Sequence, residues 1–251
     1  MPKLIAMNTS VDVELVVFDK DGTLIDFHAL WSPRAERAIE TICSALGSDQ
    51  FLAKDLAAAL GYNPKISRVI SQGPLASGTR NEMEIVVATI LFQHQIPWDT
   101  AKDLACKHFG PVLTTPPTIR EFKPRGKVQE CISRLKASGI KIAIATSDDR
   151  EPTEAALHEL NLTQTVDLVL CADDPGTPSK PDSSVLDYIS KKLLISNHRA
   201  VMVGDTVSDL KMGRKAGVAL TVGITGGADN ATDLGPYADV LLPSVDRLGP
   251  A

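Results

Sequence analysis

Two short acidic stretches carry the residue types that do chemistry. The first, Asp19-Lys20-Asp21-Gly22-Thr23, follows the apolar run Leu15–Phe18. Carboxylates two residues apart at a strand end converge on one point, and a glycine lets the chain turn sharply behind them. Taken alone, the fragment also fits a solvated Asx turn, because aspartate and glycine are common turn residues. A calcium loop fails on spacing: with Asp19 at position 1, the glycine of position 6 would be Leu24 and the glutamate of position 12 would be Leu30. In the second stretch, Val201-Met202-Val203 leads into Gly204-Asp205-Thr206-Val207-Ser208-Asp209. Asp205 falls in the loop and Asp209 one helical turn later, where on its own it could simply favour a helix N-terminus. Together, two acidic strand ends in one sheet make an oxygen-rich pocket. Crowded carboxylates need a cation, and hard oxygen ligands with room for water suit Mg²⁺.

The elements that must position these residues are legible as alternating runs. Apolar stretches at Leu15–Phe18, Ile140–Ala145, Val166–Leu170, Ala200–Val203, Val218–Val222 and Val240–Leu242 predict strands buried on both faces, as in a parallel sheet. Between them lie helical stripes. Val128, Cys131, Ile132 and Leu135 follow helical spacing within Lys127–Ser138, and Gly139 supplies a stop. Asp182–Leu194 and Thr206–Ala216 give two more helices, the latter closed by Gly217. Strand alternating with helix predicts an open α/β sheet, which binds ligands at the carboxyl ends of its strands. One segment breaks the rhythm. After the first strand come only helical patterns, at 33–46, 49–60, 80–95 and 98–112, with Ser32–Pro33 as the expected start of the first. Thr114–Gly126, with Pro116, Pro117 and Pro124, reads as a return linker. The chain is thus expected to be an α/β core interrupted by a helical insert.

Composition bounds the partners. The 251 residues are 43% hydrophobic and 23% charged, with a net charge of −5, which excludes global disorder and gives no electrostatic case for nucleic acid or an anionic membrane. Cys43, Cys106, Cys131 and Cys171 are widely spaced without a CxxC pair, so no zinc or redox motif is expected, and buried thiols in a reducing compartment are. The longest apolar stretch, Ile85–Phe92, falls far short of the ~18 residues of a membrane span. Lys3 followed by Asp12 and Glu14 does not resemble a secretory signal, so the expected location is the cytoplasm. Oligomeric state is not readable here.

The two acidic motifs, in this order with two further elements between them, resemble the haloacid dehalogenase superfamily of aspartyl-phosphate hydrolases. The further elements are Thr146, ending the run Ile142-Ala143-Ile144-Ala145, and Lys180-Pro181 ahead of a helix. The match covers roughly residues 12–26 and 123–245. The resemblance implies a Rossmann-like three-layer parallel-sheet core, residues 1–26 and 120–251, with an inserted α-helical cap domain at 27–119. It implies that Asp19 is the nucleophile, that Asp21 is general acid and then general base, and that Thr146 and Lys180 hold the transferring phosphoryl group. Mg²⁺ would be bound by Asp19, Asp21 (through its backbone carbonyl) and Asp205, with Asp209 nearby or acting through water. Backbone N–H groups around Lys20–Gly22 and Ser147 would complete a phosphate cradle, with Gly22, Thr23 and Ser147 expected to contact the substrate. An aspartate at Asp21 resembles phosphatases and phosphomutases rather than the dehalogenases of the superfamily.

An insert placed after the first motif resembles the helical-cap subclass, which includes phosphoglycolate phosphatases and β-phosphoglucomutases. The expected substrate is therefore a small phosphorylated metabolite and not a phosphoprotein, with a sugar phosphomutase or a catalytically silent phosphate-binding module as alternatives. Specificity would sit in the first linker and the cap loops. His28 could touch the leaving group or be a polar linker residue, and Trp31 is expected in the cap core. In the loop Ser71–Arg80, Arg80 could bind a substrate carboxylate or be a solvated charge in the first turn of the next helix. The late loop Gly223–Gly227 lacks the lysine of a P-loop and reads as a connection near the site rim.

Overall fold

The computed structural model describes residues 2–47, 50–118 and 120–251. Six strands form one parallel sheet: β1 Leu15–Phe18, β2 Lys141–Ala145, β3 Leu168–Leu170, β4 Ala200–Gly204, β5 Leu220–Ile224 and β6 Val240–Leu242. Their spatial order is β6-β5-β4-β1-β2-β3. Alternate residues of the central strand serve opposite faces. Val16 and Phe18 pack in one cluster with Ile142, Ile144, Val201 and Val203. Leu15 and Val17 face the other with Ala143, Ala145, Ala200 and Met202. Helices Val128–Ala137 and Arg150–Glu159 cover the first face, and Ser184–Leu193 and Val207–Ala216 the second. The result is the three-layer α/β core that the apolar runs predict. β3 and β5 start two residues later than those runs, because the Val166 and Val218 amides are used to close the preceding turns onto Leu162 O and Gly213 O.

The register of the sheet decides where chemistry can happen. Phe18 lies level with Ile144 on β2 and with Val203 on β4. The three strands therefore end together, and the residues that follow them emerge at one edge.

The segment between β1 and helix Val128–Ala137 is mostly helical: Phe27–Leu46, Gln50–Leu60, Arg80–Gln93 and Trp98–Leu104, with shorter turns at Pro74–Ser77 and Gly110–Thr114. Position 49, an expected helix start, and position 119, an expected boundary, lie outside the described residues. Three details correct the sequence reading. The first helix starts at Phe27, not Pro33, because Asp26 Oδ1 accepts from the Ala29 amide at 2.8 Å and caps it; Ser32 and Pro33 are interior to the helix. The expected helix over 98–112 is broken by a wider turn at Ala105–Phe109, where Gly110 packs against the Glu84 carboxylate. A short hairpin, Tyr62–Asn63 with Arg68–Val69, interrupts the helices. A further sheet, absent from the sequence reading, pairs Lys3–Ala6 with Thr9–Asp12 and Leu248–Pro250.

The chain enters and leaves the insert side by side. Ile25 bridges Pro124 antiparallel, Asp26 N donates to Lys123 O at 2.8 Å, and Arg125 N donates to Leu24 O at 2.8 Å. The Arg125 guanidinium reaches three carbonyls, Gly22 at 3.0 Å, Thr225 at 2.7 Å and Pro243 at 3.1 Å, so the return linker is fastened to the turn that follows β1. Among the described residues no helix is long and apolar enough to cross a membrane. The helix start is testable: Asp26→Ala should cost about 1 kcal/mol in urea denaturation, as for a lost N-cap, whereas Ser32→Ala, whose buried hydroxyl has no hydrogen-bond partner, should leave stability unchanged or slightly raised.

Candidate active site

Asp19 leaves β1 with its amide donating to Val203 O at 2.8 Å, which ties it to the end of β4. Its carboxylate meets the Lys180 ammonium, 2.5 Å from Asp19 Oδ1, 2.6 Å from Asp209 Oδ1 and 3.3 Å from the carbonyl of Ala145 at the end of β2. Asp205, wholly buried, accepts from the Thr23 hydroxyl at 3.1 Å on one oxygen and from the Ala228 amide at 2.6 Å on the other. Asp209 forms a capping box with Thr206: the Thr206 hydroxyl donates to Asp209 Oδ2 at 2.6 Å and accepts from the Asp209 amide at 3.2 Å. Asp209 thus both caps the helix start and joins the buried cluster of Asp19, Asp205 and Lys180. Gly22, at φ +88, lets the chain pass where a Cβ would run into the Asp205 carboxylate.

Oxygens of Asp19, Asp205 and Asp209 lie within 4.8 Å of one another, and all three residues are buried. One ammonium stands against three buried carboxylates, an uneven charge balance. Burial pushes the Asp19 carboxyl up to about 7, against the pull of Lys180 and with the push of Asp209. Burial and then the charges of Asp19 and Asp209 drive Asp205 well above the usual carboxylate range. Burial works against the Lys180 charge, but Asp19 and Asp209 outweigh it and hold the ammonium protonated. A divalent cation among these oxygens would remove the imbalance, and an all-carboxylate donor set suits a hard one. The residues therefore fit a metal of that kind.

A cavity of about 40 Å³ opens above Asp19, room for a few water-sized groups. Asp21, Thr146, Ser147, Asp148, Lys180, Thr206 and Ser208 form its floor. Phe27, Trp31 and the turn Leu75–Gly78 of the insert form its roof. Trp31 is buried in the core of the insert, as expected, and also lines the cavity. Of the expected substrate contacts, Ser147 lines the cavity, and Gly22, Thr23, His28 and Arg80 are not among its lining residues. Gly22 and Thr23 pack against or bond Asp205. His28 is outside the lining, with burial and then Arg68 pushing its pKa down. Arg80 is neither a cavity residue nor a solvated charge: its guanidinium bonds Asp149 at 2.7 Å and Glu84 at 2.7 Å, joining the insert to the loop after β2. Of the late loop Gly223–Gly227, the first two residues belong to β5, and a Cβ at Gly227 would strike Asp205; just beyond it, Asp229 accepts from the Gln72 amide of the insert at 3.1 Å and from the Val207 amide at 2.7 Å.

The family model for haloacid dehalogenase-like hydrolases matches residues 13–217. This chain belongs to that family. Among its relatives is a phosphoglycolate phosphatase of Aquifex aeolicus, 24% identical over 216 residues, 85% of this chain and 86% of that one. A predicted phosphoglycolate phosphatase from Haemophilus somnus shares the fold with a TM-score of 0.65 and 17% identity, covering 94% of this chain and 96% of its own. CbbY from Rhodobacter sphaeroides, solved in complex with phosphate, superposes with a TM-score of 0.57 and 20% identity over 93% of this chain and 95% of its own.

Two residues of this haloacid dehalogenase-like hydrolase escaped the sequence reading. Lys20 is 1% exposed, and its ammonium lies 2.5 Å from Asp21 Oδ1 and 2.9 Å from Asp148 Oδ2. Asp148 was findable, since Thr146-Ser147-Asp148-Asp149 is a third acidic strand end, at the close of β2. Nothing in the sequence around Lys20 distinguishes it from a solvated lysine. Removing a buried charge and leaving its partners behind is costly. Lys20→Met should lower stability by about 3–5 kcal/mol in urea denaturation, and Lys20→Met/Asp148→Leu should recover much of that loss.

Proposed function

We propose that this enzyme is a Mg²⁺-dependent phosphomonoesterase that hydrolyses a small phosphorylated metabolite through an aspartyl-phosphate on Asp19. The observation that carries the reading is the meeting of Asp19 with Lys180, Asp205 and Asp209 at the aligned strand ends, beside a cavity lined by Asp19, Asp21 and Lys180. The phosphoglycolate phosphatase relatives and the phosphate complex of a protein of the same fold support the substrate class. The small cavity under an insert roof supports a compact substrate, with 27–119 acting as the cap.

In this reading a carboxylate oxygen of Asp19 attacks phosphorus, and the bond to the leaving oxygen breaks with its electron pair going to that oxygen. Asp21 donates the proton that the leaving oxygen takes up. Water then attacks the phosphorus of the aspartyl-phosphate, Asp21 receives its proton, the bond between phosphorus and the Asp19 oxygen breaks with its electron pair returning to Asp19, and inorganic phosphate leaves. The Thr146 hydroxyl, the Ser147 amide and the Lys180 ammonium hold the phosphoryl oxygens. Asp19, Asp205, Asp209 and the Asp21 carbonyl would hold Mg²⁺, which offsets repulsion between an anionic nucleophile and an anionic ester. The burial of Cys43, Cys131 and Cys171, with Cys106 exposed, supports the reducing cytoplasm as the compartment.

Phosphate release from a panel of small phosphate esters, with Mg²⁺ and with EDTA, tests the activity. Metal-dependent release is expected, and Asp19→Asn should cut it by at least about 10³-fold while the circular dichroism spectrum is unchanged. Isomerised product without phosphate release would replace the reading by a phosphomutase. The metal is tested separately through pH. The Asp19 carboxyl, raised from 3.8 to about 7, is a source of stability that is full below its ordinary pKa and lost as pH rises through about 7. In EDTA, Tm should therefore fall across that window, and the Tm gain on adding Mg²⁺ should grow over the same range. A Mg²⁺ effect independent of pH would count against Asp19 as a ligand.

A further inference from the structure

Lys20 is a buried charge that the mechanism above does not use. A buried ion pair adds little stability over apolar groups of the same size, so packing alone does not account for an ammonium at this place. Its contacts are specific. It touches one oxygen of Asp21, Oδ1, and is anchored from behind by Asp148 Oδ2, whose other oxygen accepts from the Asp149 amide at 2.9 Å. The Asp148 amide in turn donates to the Thr146 hydroxyl oxygen at 3.1 Å. The loop after β1 and the loop after β2 are thereby joined through a single ammonium, and Asp21 and Asp148 line the same cavity.

We propose that Lys20 is a positioning residue for Asp21: anchored on Asp148, it holds Asp21 Oδ1 so that Oδ2 faces the leaving oxygen of the ester. The proposal rests on the reading of Asp21 as general acid. As the phosphorus–oxygen bond breaks, the proton passes from Asp21 Oδ2 to the leaving oxygen. The carboxylate that the transfer creates is paired at once with the Lys20 ammonium, so no new charge is left unpaired in the pocket. Lys20 itself transfers nothing.

A general acid matters only when the leaving group needs a proton, which separates this role from a structural one. The full-length protein, with Mg²⁺, is given 2-hydroxyethyl phosphate, whose leaving alkoxide is strongly basic, or p-nitrophenyl phosphate, whose leaving phenolate is weakly basic. Pre-steady-state release of the alcohol or phenol isolates the first half-reaction. Lys20→Met should slow release from the alkyl ester by about 100-fold or more, within the range of general acid catalysis, and from the aryl ester by less than about tenfold. Lys20→Arg should recover part of the alkyl rate. Should Lys20→Met fail to fold, Lys20→Met/Asp148→Leu, which replaces the pair by apolar groups, carries the same comparison. Equal losses on both esters, with Asp21→Asn still selective for the alkyl ester, would overturn the role of Lys20. No selectivity in Asp21→Asn would remove the general-acid reading itself, and the proposal with it.

Discussion

Three carboxylates buried around one ammonium is the constraint on which the rest of this molecule depends. Like charges at such separation in a dry place cannot all be ionised without a counter-charge, and among the described residues the ammonium in contact with them is that of Lys180. The surrounding contacts are arranged to hold the carboxylates in place despite that. Thr23 and the Ala228 amide fix Asp205, Thr206 and the first turn of its helix fix Asp209, and the Asp19 amide is tied to β4. Each contact donates hydrogen to, or anchors the backbone of, a group that would otherwise swing away from its neighbours. The imbalance is thus held ready for a cation rather than relieved by rearrangement.

The sheet makes this arrangement available. Because β1 runs between β2 and β4 in matched register, residues far apart in sequence leave the core at one level. Side chains that alternate between two apolar clusters keep the strands from slipping, since a shift by one residue would turn each cluster inside out. Fold and chemistry are therefore linked through register, not merely through shared topology.

Much of this was legible in the sequence, and the reason is local. Continuous apolar runs followed by acidic residues mark both a strand and what stands at its end, so Asp19, Thr146 and Asp205 could be read with their elements. Failures came where the deciding partner is distant or where two local signals compete. Arg80 looks free on its helix, but its partner Asp149 is 69 residues away. Lys20 gives no sign of its buried contacts, because Asp148 is reached only when two loops meet. Ser32–Pro33 is a strong helix-start signal, yet Asp26 caps the chain earlier and the proline is absorbed. The pairing of Lys3–Ala6 with Thr9–Asp12 turns at Met7-Asn8, without the glycine that usually announces a hairpin.

The glycines around the carboxylates divide the site into parts with unequal freedom to change. A Cβ at Gly22 or Gly227 would strike Asp205, and one at Gly204 would strike Asp209. These positions admit no larger side chain without dislodging a carboxylate. The cavity's opposite wall, from Phe27 and Trp31 to the Leu75–Gly78 turn, comes from the insert. Variation in what the enzyme accepts is therefore channelled to one wall of the cavity. A library confined to that wall could explore new esters while the reacting groups stay as they are.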